Sequence, residues 1–181
     1  MVLFLTFMVY SFLGYLLEKL FAAATKSPHQ VRKCRLLLPF CPVYGFAMAA
    51  VVSLPSPLLA TAVRVWLFGG LTVTAVEFIV HLFYEKVLGV RFWDYTGTKF
   101  HIEGRVCLSF SLIWGGLVVG AVYGVQPWVE LLAETAPPAL TYGLLLLAAA
   151  DAVFSCRVLW WGGNVDWMSV PVLLRALQGE K

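Results

Sequence analysis

Glu77, His81 and Glu85 give the clearest hint of chemistry in this chain. Spaced at i, i+4 and i+8 they stack on one face of a helix, and Tyr84 joins the same stripe. They lie in a long apolar run, where an ionisable group is costly and is a functional candidate by default. Two carboxylates and an imidazole in a column would suit cation coordination, or a proton path from mid-membrane to the surface. The plainer alternative pairs Glu77 with an arginine or backbone group of a neighbouring helix and leaves His81 and Glu85 interfacial. Asp151 sits among leucines and alanines and must face protein rather than lipid, with Arg64 as one possible partner. Glu18 closes another apolar run beside Lys19. Snorkelling accounts for both, and Glu18 is kept as a lesser path candidate.

A second concentration of chemistry is the connector "RFWDYTGTKFHIEGR", Arg91 to Arg105. Phe92, Trp93, Tyr95 and Phe100 are expected to anchor it as an interfacial aromatic belt. Asp94 and Arg105 would then be held at one depth, and a pair between them is possible. Gly97 and Gly104 permit turns. Such a loop could dock a partner, cap the polar column, or merely close a helical hairpin.

The elements that must position these residues follow from composition. The chain has 181 residues, 61% hydrophobic and 13% charged, where a soluble domain averages about 25% charged. It is read as an all-α polytopic membrane protein. About five spans are expected, near Val2–Phe21, Leu36–Leu54, Leu58–Tyr84, Val106–Trp128 and Ala139–Trp161. The first is expected to be retained rather than cleaved, because it lacks a basic leader and is long. Lys26, Arg32, Lys33 and Arg35, then Lys86, Arg91, Lys99 and Arg105, then Arg157, Arg175 and Lys181 fall in alternate connectors. That alternation places the N-terminus outside and the C-terminus in the cytoplasm. Residues 1–161 form the membrane domain, and 162–181 a cytoplasmic or interfacial tail in which Trp167, Met168, Leu173, Leu174 and Leu177 could lie along the interface.

Gly116, Gly120 and Gly124 recur every four residues and would allow close helix approach, within the chain or between copies of a homo-oligomer. Trp114 and Trp128 are read as belt aromatics. Cys34, Cys41, Cys107 and Cys156 fall at cytoplasmic positions, so free thiols are expected, with no metal site and no cofactor. No basic run suits nucleic acid, and no Walker, HExxH or GxSxG motif is present.

Three blocks in order resemble a known family: "SFLGYLLEKLF", "LPFCPVYGF" and "YEKVLGVRFWDYTGTKFHIEGRVCLSFSLIWGG". They are similar to the bacterial ABC-transporter type IV integral membrane proteins, labelled ABC transporter permeases, over roughly positions 5 to 160. His101 and Glu103 depart from the pattern, where Asn and a small or polar residue are expected. The resemblance highlights Glu18, Cys41, Pro42, Tyr44, Gly45, Glu77, Glu85, Trp93, Asp94, Tyr95, Gly104 and Arg105. It implies a multi-pass transport component of the cell membrane; the intramembrane residues themselves suggest that a small solute or ion moves past Glu77, His81, Glu85 and Asp151, in an oligomer or with a separate ATPase subunit. Two other classes stay open. One is a membrane-embedded enzyme acting on lipid headgroups through His81, Glu85, Asp94, His101 and Arg105; the other is a non-catalytic assembly or regulatory protein.

Overall fold

The computed structural model describes residues 1–25, 37–162, 165–168, 173–175 and 178. Lys26, Arg32, Lys33, Cys34, Arg35, Leu177 and Lys181 lie outside the described residues. Five helices dominate: α1 Val2–Ala24, α2 Pro42–Val52, α3 Ala62–Val87, α4 Leu108–Thr135 and α5 Pro138–Gly162. Of these, α1, α3, α4 and α5 are long and apolar enough to cross a membrane. The protein is all-α and polytopic.

The second expected span is not one continuous helix. Helix α2 has 11 residues, about 16 Å of rise, against a hydrocarbon core of about 30 Å. Its shortness is written in two prolines. Pro42 occupies the first helical turn, and Cys41 before it is extended, at φ −115° and ψ 91°. Leu37 to Cys41 therefore runs without helix, and its backbone needs partners from elsewhere. Every N–H of this stretch is accounted for. Leu37 donates to Asp151 Oδ1 at 2.9 Å and Leu38 to Oδ2 at 3.3 Å. Phe40 donates to the Leu38 carbonyl and Cys41 to the Ser11 carbonyl, at 2.8 and 2.9 Å. Pro39 has no N–H to satisfy.

Asp151 is 1% exposed, so it faces protein as expected, but its partners are backbone amides and the Ser155 hydroxyl at 3.5 Å. Arg64 is not among them; its Nη1 donates to the Pro57 carbonyl at 2.9 Å.

Helix α2 lies antiparallel against α1: Tyr44 meets Glu18, and the Phe46 ring packs 4.8 Å from Phe7. Reciprocal glycines allow the approach. A Cβ on Gly14 would run into the Tyr44 ring, and one on Gly45 would strike the Phe7 ring and Ser11. Gly14→Ala is therefore expected to cost about 1–3 kcal/mol by overpacking, seen as a lower thermal unfolding midpoint in detergent. Helices α3 and α4 meet through another glycine pair, since a Cβ on Gly70 would lie 3.1 Å from Gly115 Cα. Gly116, Gly120 and Gly124 carry none of this packing: a Cβ on any of them meets nothing within 4 Å. One residue along a helix is a rotation of about 100°, which turns that stripe outward.

Two π turns interrupt the long helices, at Val65–Gly69 in α3 and Ala121–Val125 in α4. The second ends just before Pro127, whose missing N–H disrupts the regular ladder. Tyr10, Met48, Val51, Val65, Val73 and Val118 form the core shared by α1 to α4. A smaller cluster of Leu88, Val90, Leu159 and Met168 ties the α3–α4 connector to the end of α5. Met168 is buried there and Trp167 packs over Gly162, so this part of the tail folds back on α5 instead of lying flat along an interface.

Candidate functional site

Glu77 projects from α3 into the place where four other segments converge. It is 5% exposed. Oε1 accepts from the Tyr95 hydroxyl at 2.9 Å, and Oε2 from the Trp114 indole N–H at 3.1 Å. Trp114 stands edge-on to Tyr44, with ring centroids 5.4 Å apart, and the Tyr44 hydroxyl donates to Glu18 Oε1 at 2.7 Å. Glu18 of α1, Tyr44 of α2, Glu77 of α3, Trp114 of α4 and Tyr95 of the connector thus form one polar chain. The two acids are joined through Tyr44 and Trp114, and Tyr95 adds a second donor to Glu77. The donors holding Glu77 are uncharged, which sets it apart from Glu85.

Glu85, two turns along α3, is held by cations. Its Oε1 accepts from Arg91 Nη2 at 2.5 Å, and its Oε2 from Arg105 Nε at 2.9 Å and Nη2 at 2.8 Å. Arg105 is 6% exposed, pairs also with Glu103, and lies 5.3 Å from the centre of the Phe78 ring. The expected Asp94–Arg105 pair does not form. Asp94 Oδ1 instead accepts the Thr96 backbone N–H at 2.9 Å, which holds its carboxyl below the usual carboxylate range. A lowered carboxyl stabilises the turn above the ordinary carboxylate range, and that contribution fades as pH falls through the lowered value.

The connector from Leu88 to Cys107 is a folded strap over this column. Strands β1 His101–Ile102 and β2 Val106–Cys107 pair antiparallel, His101 opposite Cys107. The turn between them has Glu103 and Gly104 at φ 51° and 70°, the sign pattern of a type I′ turn. Gly104 is required twice, because a Cβ there would also lie 2.7 Å from Thr96 and 2.8 Å from Asp94. Glu103 tolerates the left-handed region with its carboxylate tied to Arg105. His101 contributes by accepting the Gly104 N–H on Nδ1 at 3.1 Å.

Trp93 and Tyr95 are not belt anchors but face inward. Trp93 Nε1 donates to the Arg105 carbonyl at 2.9 Å, while its own carbonyl lies 3.0 Å from His81 Nε2. Burial, then the adjacent Glu77 carboxylate, push the Tyr95 phenol above its ordinary range, so it stays a donor. Phe92 packs on Tyr84 at 4.6 Å, and only Phe100 is left projecting, 79% exposed. Trp114, expected in the belt, is likewise an inner residue; Trp128 is exposed.

The structure therefore groups Glu18, Tyr44, Glu77 and Tyr95, adds Trp114, and places His81, Glu85, Trp93 and Arg105 beside them. Asp151 is excluded from this group. It caps the Leu37–Cys41 stretch through the amides of Leu37 and Leu38. Cys41 and Pro42 serve that same stretch, and Gly45 serves the α1–α2 contact. Of the groups an enzyme acting on headgroups would use, Glu85 and Arg105 bond to each other, Asp94 to Thr96 and His101 to Gly104, while His81 Nδ1 has no hydrogen-bond partner. Cys41, Cys107 and Cys156 are not bridged by disulfides.

Positions 5–156 match the family described as "Putative ABC-transporter type IV". The chain belongs to this family. It is a multi-pass, membrane transport-related protein whose surroundings are a lipid bilayer. No curated protein and no solved structure matches it. The motif blocks of this ABC-transporter type IV chain converge in space: the first supplies Glu18, the second Tyr44, and the third Tyr95, Arg105 and Trp114. Trp114 is the member of this group that sequence reasoning misses, although it lies inside the third block. Its spacing from a span end fits a belt residue equally well.

Proposed function

We propose that this protein is the membrane-embedded part of a transport system that moves a small solute or ion past Glu77. The observation carrying this reading is the buried Glu77 carboxylate, held on both oxygens by neutral donors from two different segments. Such a group can exchange Tyr95 or Trp114 for a passing cation or polar solute without breaking an ion pair. Glu18 extends the path along α1, and His81 lies one turn toward the strap. Glu85 is assigned to holding the strap, and Asp151 to capping the broken second pass. The protein is placed in a bacterial cell membrane with its N-terminus outside and the strap on the cytoplasmic side. It works with a second copy through Gly116, Gly120 and Gly124, or with a separate ATPase subunit.

The test is flux of labelled small cations and neutral solutes in proteoliposomes, with and without an ATPase partner, for wild type and Glu77→Gln. Gln keeps the volume but presents an amide N–H₂ to one of the two donors. Losing one hydrogen bond to a charged group, about 1.5–3 kcal/mol, corresponds to a flux about ten- to a hundredfold lower. Wild-type flux from Glu77→Gln would refute this path.

A further inference from the structure

His81 is 3% exposed, and its two ring nitrogens are in different situations. Nε2 lies 3.0 Å from the Trp93 carbonyl. A carbonyl only accepts, so the hydrogen is on Nε2 and the neutral ring has a bare lone pair on Nδ1. That Nδ1 is buried without a hydrogen-bond partner, and 3.8 Å away is Glu85 Oε2, also an acceptor. Two acceptors face each other across a gap that one hydrogen would convert into an ion pair.

We propose that the ion taken up by this site is the proton and that His81 Nδ1 is where it binds. The proton comes from the aqueous phase on the strap side, adds to the Nδ1 lone pair and leaves the same way, with no other bond made or broken. Charged groups of both signs face the ring. Glu77 and Glu85 flank His81 one turn either side on α3, and Asp94 faces it from the strap. Arg91 and Arg105 oppose them, both already drawn onto Glu85, with Glu103 on Arg105. The imidazolium then competes with Arg105 for Glu85 Oε2, and this contest loosens the strap that lies over Glu77. The inference rests on the transport reading, since it names the ion that the path couples to, but protonation can be measured without transport.

Trp93 supplies the probe. Its ring stands edge-on to His81 with centroids 5.1 Å apart, and an imidazolium in contact with indole quenches its fluorescence. The full chain in nanodiscs is scanned from about pH 8 to about pH 5, and trypsin cleavage at Lys99 is followed relative to that of an unstructured peptide at each pH. Wild type is expected to show a reversible fall in tryptophan emission with a parallel rise in cleavage. His81→Gln, whose amide can still donate to the Trp93 carbonyl, is expected to lose both. Trp93→Phe should lose the emission step alone, and His101→Gln should keep it. A wild type without the step, or the same step in His81→Gln or in Trp93→Phe, overturns the proton site. A step without any change in cleavage overturns its coupling to the strap. A step in a protein that shows no flux would sink the transport reading while leaving the proton site standing.

Discussion

Asp151→Leu should prevent the protein from reaching its folded state in a membrane. The substitution is mild by hydropathy and would suit a lipid-facing position. Asp151 is not such a position: its two oxygens are the acceptors for the Leu37 and Leu38 amides, at 2.9 and 3.3 Å. No water is at hand in the bilayer core to replace them. Losing two hydrogen bonds to a charged acceptor, at about 1.5–3 kcal/mol each, gives about 3–6 kcal/mol, comparable to the whole stability of many proteins. Asp151→Asn keeps one acceptor oxygen and should lose about half as much. The measurement is unfolding in bicelles by increasing SDS, read by circular dichroism. Equal midpoints for wild type and Asp151→Leu would mean that the Leu37–Cys41 stretch is held by something else.

Arg105→Met should release the strap. Met matches the length of the buried stem but leaves Glu85 and Glu103 facing one another across the space the guanidinium occupied. It also removes the cation from the Phe78 ring. Arg91 still holds Glu85 Oε1, but from a side chain 53% exposed, where ion pairs contribute little. Because proteolysis follows the population of the open form, cleavage at Lys99 should rise on the order of tenfold or more, with the helical content of the membrane part unchanged. Arg105→Lys should rescue only partly: a single ammonium cannot reproduce the paired contacts of Nε and Nη2 with Glu85 Oε2. Unchanged cleavage in Arg105→Met would show the strap to be held by Trp93 and Tyr95 alone.

The membrane class, the acidic face of α3 and the unusual chemistry of the Arg91–Arg105 connector are legible because each is a one-dimensional signal: composition, helical spacing, local density of aromatics and charges. What escaped is what depends on partners. Tyr95 and Trp114 each carry an amphipathic ring, and nothing in their spacing says whether the polar tip meets lipid headgroups or Glu77. Gly115 is the packing glycine, but the regular rhythm of Gly116, Gly120 and Gly124 drew attention to the neighbouring face. Asp151 faces protein as its surroundings predict, but its partners are amides and not Arg64, because sequence displays side chains and hides unsatisfied amides. The prolines that shorten α2 were in view. Hydropathy averaged over Leu36–Leu54 outweighed them.

The bond between Asp151 and Leu37 joins residues 114 positions apart. Synthesis proceeds from the N-terminus, so the stretch beginning at Leu37 enters the bilayer long before its acceptor has been made. Until α5 is inserted, α1 to α4 carry two amide hydrogens with no oxygen to receive them. The newborn chain is therefore assembled around a gap that α5 closes. A truncated product ending before Asp151 should be recognisable to membrane proteases by that gap alone.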